Sequence, residues 1–278
     1  MNDDITAVVT CFNYGEYLAE AVKSLLTQEG AVPAVIVVDD GSTDAATLDA
    51  LDHLPPGVEL IRQENQGLAA ARNAGFRAAR TPYLIPLDAD DRLAVGALRV
   101  LHEALERDKS AGFAYGWHEF FGAWSGVLRT PPYDPYKLLY RHMISSTALM
   151  RRELFDDVGG YDPDFRGYED WEFWINSLDH GWRGRNVGRV VLEVRRHADS
   201  MLGAARRDYR HWYRRLRAKH RAVYARRSEF ARESDLGPVG RLVYRGFWGP
   251  RPLPARVEHA VYRRVFRAQP SARALPPA

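Results

Sequence analysis

Leu84-Ile85-Pro86-Leu87-Asp88-Ala89-Asp90-Asp91 is an apolar run that ends in three carboxylates within four residues. The run reads as a buried strand, and a core has no use for that much unpaired charge. Carboxylates at the C-terminal end of a strand are placed to hold a hard divalent cation such as Mg²⁺ or Mn²⁺, and such ions are commonly shared with substrate phosphates. The competing reading is an acidic turn that caps the next helix, a role open to Asp91.

Upstream of this stretch the same pattern repeats. Residues 5–11 form a continuous apolar run of the kind shown by a central parallel strand, broken at Phe12-Asn13-Tyr14-Gly15 and followed by helical periodicity from Glu16 to Gln28. Ala34 to Val38 is a second strand and stops at Asp39-Asp40-Gly41-Ser42-Thr43-Asp44. There Ser42 or Thr43 can cap a helix running to about Leu54, with Asp44 read as a turn or capping residue rather than a ligand contact. Val58 to Ile61 is a third strand, and an alanine-rich helix from Gly67 to Arg80 leads into the strand Tyr83 to Leu87. Beyond it the pattern predicts a helix over 96–108, a strand over 111–118, a hairpin over 120–130, a short helix over 136–143, a helix starting near Asp170 and a strand over 190–196.

Strands alternating with helices predict an α/β fold, Rossmann-like, with a mostly parallel sheet flanked by helices. In such sheets ligands bind beyond the carboxyl ends of the strands. Three polar loops converge there, beginning at Thr10, Asp39 and Asp88. No Gly-x-Gly-x-x-Gly follows the first strand and no Gly-Lys-Ser/Thr phosphate loop is present, which argues against a dinucleotide dehydrogenase and a P-loop ATPase.

Composition narrows the class further. The 278 residues, 46% hydrophobic and 27% charged, describe a globular protein of one large domain plus an appendage. No apolar run approaches the length of a membrane span. The acidic start, Met1-Asn2-Asp3-Asp4, argues against a secretory signal, so the expected location is the cytoplasm, with peripheral attachment at the inner face of the membrane. Cys11, the single cysteine, cannot form an internal disulfide and reads as a small core residue.

These residues resemble the inverting GT-A glycosyltransferases of family 2. The likeness rests on Val8 to Tyr14, Val37 to Asp44, Asn65 to Asn73, Leu87 to Asp91 and Tyr168 to Trp171, which stand in the family's order. It implies that Thr10 and Phe12 line the base and ribose pocket of a nucleotide-sugar, and that Asp40 accepts from a base N–H or a ribose hydroxyl. A carboxylate acceptor suits the N3–H of uracil or thymine, favouring a pyrimidine donor, with a UDP-sugar expected. Arg72 can reach the base edge or the diphosphate, with a solvated helix face as the alternative. Asp88 and Asp90 match the D-x-D pair, with Asp90 on a Mn²⁺ or Mg²⁺ ion and Asp88 nearer the ribose and the ion's waters. His197 occupies the place of a histidine that completes the metal or diphosphate site. Asp170 takes the general-base role, Glu169 and Trp171 belong to the acceptor or sugar pocket, and residues 144–150 lie beneath the donor sugar. The implied reaction moves a sugar to a hydroxyl of a glycan or lipid-linked acceptor in cell-surface polysaccharide synthesis.

The rival readings are a sugar-nucleotide nucleotidyltransferase, which would carry a glycine-rich basic loop where Phe12-Asn13-Tyr14-Gly15 stands, and a non-catalytic binding module of the same fold. The catalytic domain is assigned to residues 1–203 and a basic, aromatic-containing helical extension to 204–278. Arginine dominates the extension. Contact with an anionic membrane and packing on the catalytic domain or on a second subunit as a homodimer both suit it, and nucleic acid ranks last.

Overall fold

The computed structural model describes residues 4–250 apart from 31, 124 and 197–207. Strand β1 (Ile5–Cys11) is buried at every position, which explains its unbroken apolar sequence. It is followed by α1 (Gly15–Leu26), β2 (Ala34–Asp39), α2 (Ala45–Asp52), β3 (Val58–Arg62), α3 (Leu68–Ala78) and β4 (Tyr83–Asp88). These four strands are parallel, in the order β3-β2-β1-β4, as the alternation predicts. Helix α2 is capped by Asp44, whose side chain accepts from the Thr47 N–H, and not by Ser42 or Thr43. Ser42 is held instead by its own N–H on Asp39 Oδ1.

Past β4 the sheet becomes mixed. The two-residue β5 (Arg92–Leu93), α4 (Ala97–Arg107), β6 (Ala111–Gly122) and β7 (Gly126–Leu128) lead to α5 (Pro135–Leu138), β8 (Leu149–Arg151), α6 (Arg152–Val158), α7 (Glu169–Asp179) and β9 (Arg183–Arg196). β8 slots antiparallel between β4 and β6, and β9 runs parallel to β6 along most of its length. The strand expected over 190–196 thus begins at Arg183. Its early half is half-exposed and carries glycine and arginine, so no apolar run announces it.

One core packs α1 and α4 on one face of the sheet; the other holds α3, α5, α6 and α7. Gly75 permits the second: a Cβ there would meet Val8 Cγ1 at 2.3 Å. Cys11 lies in the first core, where burial pushes its thiol up to about 11, in keeping with a packing role.

The C-terminal helices are α8 (Tyr209–Lys219), α9 (Arg221–Ala225), α10 (Arg227–Glu233) and α11 (Pro238–Val243), the last running into a π-helical turn at Tyr244–Trp248. Tyr209, Tyr213, Leu216, Tyr224, Phe230 and Trp248 are buried in the same core as α7. Fully buried Glu172 of α7 accepts from Lys219 Nζ and pairs with His220 Nε2, both at 2.7 Å. Residues 251–278 of the basic extension lie outside the described residues.

Candidate active site

Parallel pairing sets Thr10 beside Val38 on one side and Asp88 on the other, so three strand ends arrive at one edge. Thr10 donates from its hydroxyl toward Asp88 Oδ1 at 3.4 Å. Asn13 takes a left-handed φ of 56°, a conformation asparagine tolerates, and its Oδ1 accepts from the N–H groups of Thr43 and Asp44. The β1 and β2 loops are latched by these bonds, and Phe12 beside them is 43% exposed.

Asp40 is buried and accepts from Gln63 Nε2 and the N–H groups of Gln66 and Gly67. These bonds shape the loop entering α3 and leave its Oδ2 with capacity for a further donor. Arg72 is buried. It is neither on a solvated face nor extended into the crevice: at 2% exposure its Nη2 donates to Asp88 Oδ1 at 2.7 Å and its Nη1 to Glu169 Oε1 at 3.0 Å. Burial works against its charge, but Asp88 and Glu169 more than offset that and keep the guanidinium protonated. One rigid fork therefore ties the D-x-D strand to the start of α7.

Glu169 also spends its second oxygen, Oε2, on the Gly167 N–H. Burial raises its pKa against the pull of Arg72. Each of its oxygens thus accepts one hydrogen bond, and the side chain braces the start of α7 against α3. Trp171 is 1% exposed, its indole N–H donates to the Leu138 carbonyl, and its ring stacks on Tyr209 and Tyr213. It and Trp174 are core residues; neither offers a face to a sugar.

Asp170 differs from its neighbours. On the first turn of α7, it meets His142 Nε2 with Oδ2 at 2.9 Å and takes the Trp171 N–H on Oδ1. Burial would raise its pKa, but the His142 imidazolium, with help from Arg72 and the Trp171 N–H, holds it below the ordinary aspartate value. His142 is raised in turn: burial opposes its charge, and Asp170 and Glu169 overcome that. The aspartate's share of pair stability is present above its unfolded pKa of about 3.9 and is lost as pH falls through the folded value. The histidine's share is complete below its unfolded pKa of about 6.5 and is lost as pH rises through its elevated folded value. His142 was not singled out in the sequence, because it sits in a loop with no motif. Its neighbour His118, on β6, pairs Nε2 with Ser145 Oγ at 3.1 Å and is pushed down to about 4 by burial. Ser145 places the small-residue segment against that histidine.

Asp90 and Asp91 are organised by a residue that sequence reasoning also passed over. Arg195, near the end of β9, donates Nε to the Asp90 carbonyl, its backbone N–H to Asp91 Oδ1, and Nη2 to Glu20. Asp91 is therefore no helix cap: Gly96 precedes α4, and Asp91 anchors the turn to β9. Burial, then Asp90 and Asp88, raise its pKa well above the usual carboxylate range. Asp88 and Asp90 offer hard oxygen donors suited to Mn²⁺ or Mg²⁺ together with phosphate oxygens. His197 lies outside the described residues, and among the described residues no three His, Cys, Asp or Glu side chains gather as a closed metal cage.

An acidic strand end and an acidic helix start thus meet on one crevice of an α/β sheet, and the chain belongs to glycosyl transferase family 2, whose model matches residues 6–169. Among its relatives is glycosyltransferase GlyA of Streptococcus pneumoniae, 32% identical over 203 residues, covering 70% of this chain and 26% of the relative. Another is the UDP-Glc:alpha-D-GlcNAc-diphosphoundecaprenol beta-1,3-glucosyltransferase WfaP of Escherichia coli, 27% identical over 203 residues, covering 71% and 79%. In fold the chain is similar to S. aureus TarS 1-349 solved with UDP-GlcNAc, with a TM-score of 0.65 at 17% identity, over 87% of this chain and 70% of that one. The chain spans 61%, 31% and 26% of the length of three of the curated relatives it matches.

Proposed function

We propose that the protein is an inverting, metal-dependent glycosyltransferase that moves a sugar from a UDP-sugar to a hydroxyl of a lipid-linked or glycan acceptor in polysaccharide or glycolipid synthesis. The observation that carries this reading is the Asp88–Arg72–Glu169 network, which fixes the D-x-D strand and the helix bearing Asp170 as one unit at the strand ends. In this scheme Asp170 accepts the proton of the acceptor hydroxyl. The oxygen bonds to the anomeric carbon from the face opposite the diphosphate, and the diphosphate leaves with the electron pair of the broken bond. A Mn²⁺ or Mg²⁺ ion held by Asp90, with Asp88 beside it, would offset the charge of the departing diphosphate. The lipid-linked acceptor is favoured by WfaP, whose name gives a diphosphoundecaprenol acceptor and a UDP-sugar donor.

Thermal denaturation with UDP, dTDP and GDP, each with and without Mn²⁺, tests the donor site. Ligand at a hundredfold excess over Kd stabilises by about 2.7 kcal/mol. A Mn²⁺-dependent shift with UDP is expected, abolished in Asp90→Ala; a shift that Asp90→Ala retains removes the metal role. No shift with any nucleotide returns the protein to the binding-module reading.

His142→Gln removes the positive charge beside Asp170, so the aspartate loses its main stabiliser and its pKa rises. The acidic limb of the turnover–pH profile is therefore expected to move to higher pH. An unmoved limb would show that the His142 pair does not set the basicity of the group in control.

A further inference from the structure

A cleft of about 650 Å³ opens among the C-terminal helices, and none of the described candidate active-site residues lines it. Among the described residues its walls carry Arg214, Arg217, Arg221, Arg227 and Arg245 and no acidic side chain, with Tyr140, Tyr213 and Tyr224 among the other lining residues. Three other basic groups on the same helices are neutralised: Arg215 by Asp164, Lys219 by Asp162 and Glu172, Arg226 by Glu229. Among the described residues, none of the five cleft arginines pairs with a carboxylate. Arg214 and Arg227 donate to the carbonyls of Arg210 and Tyr224, and Arg217 lies over the Tyr213 and Tyr224 rings. Residues 208–250 hold eleven Arg and Lys against four Asp and Glu. Five guanidinium groups converging without counter-charges repel one another, and an anion with several acceptor oxygens relieves that repulsion.

A second observation identifies the source of the anion. Val239, Leu242 and Val243 on α11 are large apolar residues left 76%, 69% and 44% exposed. Leu242 stands three residues before Arg245 on a continuous helical path, so the two share a face. A soluble phosphate compound has no use for an apolar ridge beside its site, whereas a bilayer offers phosphates above and acyl chains beneath.

We propose that this cleft and ridge form a docking site for an anionic lipid surface. The arginines hold lipid phosphates while Leu242 and its neighbours enter the acyl boundary. The site is linked to the crevice through packing: Tyr213 lines the cleft and stacks on Trp171, the residue after Asp170. Tyr140, also in the lining, stands two residues before His142.

Co-sedimentation of the full chain with vesicles of phosphatidylglycerol and phosphatidylcholine tests the proposal, using phosphatidylcholine alone as the reference. Binding is expected to the anionic vesicles only. Each basic residue near such a surface contributes roughly fivefold to partitioning, so R217E/R221E/R245E is expected to lose about a hundredfold or more. All three side chains are exposed. A control reversal at exposed Arg77, Arg80 and Arg107, on α3, beyond its C-terminus and on α4, is expected to stay within about threefold of wild type, because charges far from the bilayer are screened. Leu242→Asp removes the apolar anchor and is expected to lose about tenfold or more. Equal losses in the control, full binding by R217E/R221E/R245E, or no binding of wild type to anionic vesicles each overturns the proposal. So does diphosphate binding in solution without vesicle binding, which would make this a site for a free anion.

Discussion

Asp170→Asn is expected to reduce turnover by about 10²–10⁴-fold, the usual contribution of a positioned proton acceptor, while the UDP-induced thermal shift is retained. The amide keeps the side chain's shape and can still accept the Trp171 N–H, which Asp170 takes at 2.8 Å. It cannot take a proton from an attacking hydroxyl, so the loss falls on the chemical step. His142 provides an internal check, because it owes its raised pKa chiefly to Asp170 among its charged neighbours. Its imidazole titration, followed by NMR, should move to lower pH in the variant. Near-normal turnover in Asp170→Asn, in a protein whose His142 titration has moved, would assign proton removal to another group.

Arg72→Met should cost about 3–5 kcal/mol of folding stability, as removal of one partner from a buried ion network does. The methionine fills much of the same volume, but Asp88 and Glu169 are left facing each other with no cation between them. Arg72→Lys is not a rescue, since a single ammonium cannot span two carboxylates as the planar fork does. Neutralising one acid removes part of the conflict, so Arg72→Met/Glu169→Gln should recover stability relative to Arg72→Met alone. The check is the urea midpoint of each variant. A cost below about 1 kcal/mol, typical of an exposed pair, would show that the network is solvated and not a strut.

These two residues also mark the limit of what local sequence carries. β1 and β4 were legible because burial on both faces leaves an unbroken apolar signature, and the Asp88 to Asp91 turn because charge following such a run needs a partner. The α2 cap was legible only in part: Ser42, Thr43 and Asp44 all stood in position for it, and the structure gives it to Asp44. Arg72 was not, because its carboxylates lie 16 and 97 residues away, and nothing in an alanine-rich helix says which face the sheet will cover. Trp171 was misread for a related reason. An aromatic beside an acidic motif suits a sugar platform, and only the arrival of Tyr209 and Tyr213 shows that its face is already covered. His142 and Arg195 carried no periodicity or motif; they matter because tertiary contacts bring them to Asp170 and to the Asp90–Asp91 turn.

The family match ends at Glu169, one residue before Asp170, on the helix whose Trp171 and Glu172 are closed over by Tyr213, Lys219 and His220. A chimaera made to exchange acceptor preference between relatives cannot be joined after α7 without leaving a tryptophan bare and a glutamate buried beside no cation. The natural unit of exchange starts ahead of Tyr168 and runs at least through Trp248, whose carbonyl accepts from Tyr209. Within that unit Asp170 and the arginine-lined helices would travel together as a single cassette.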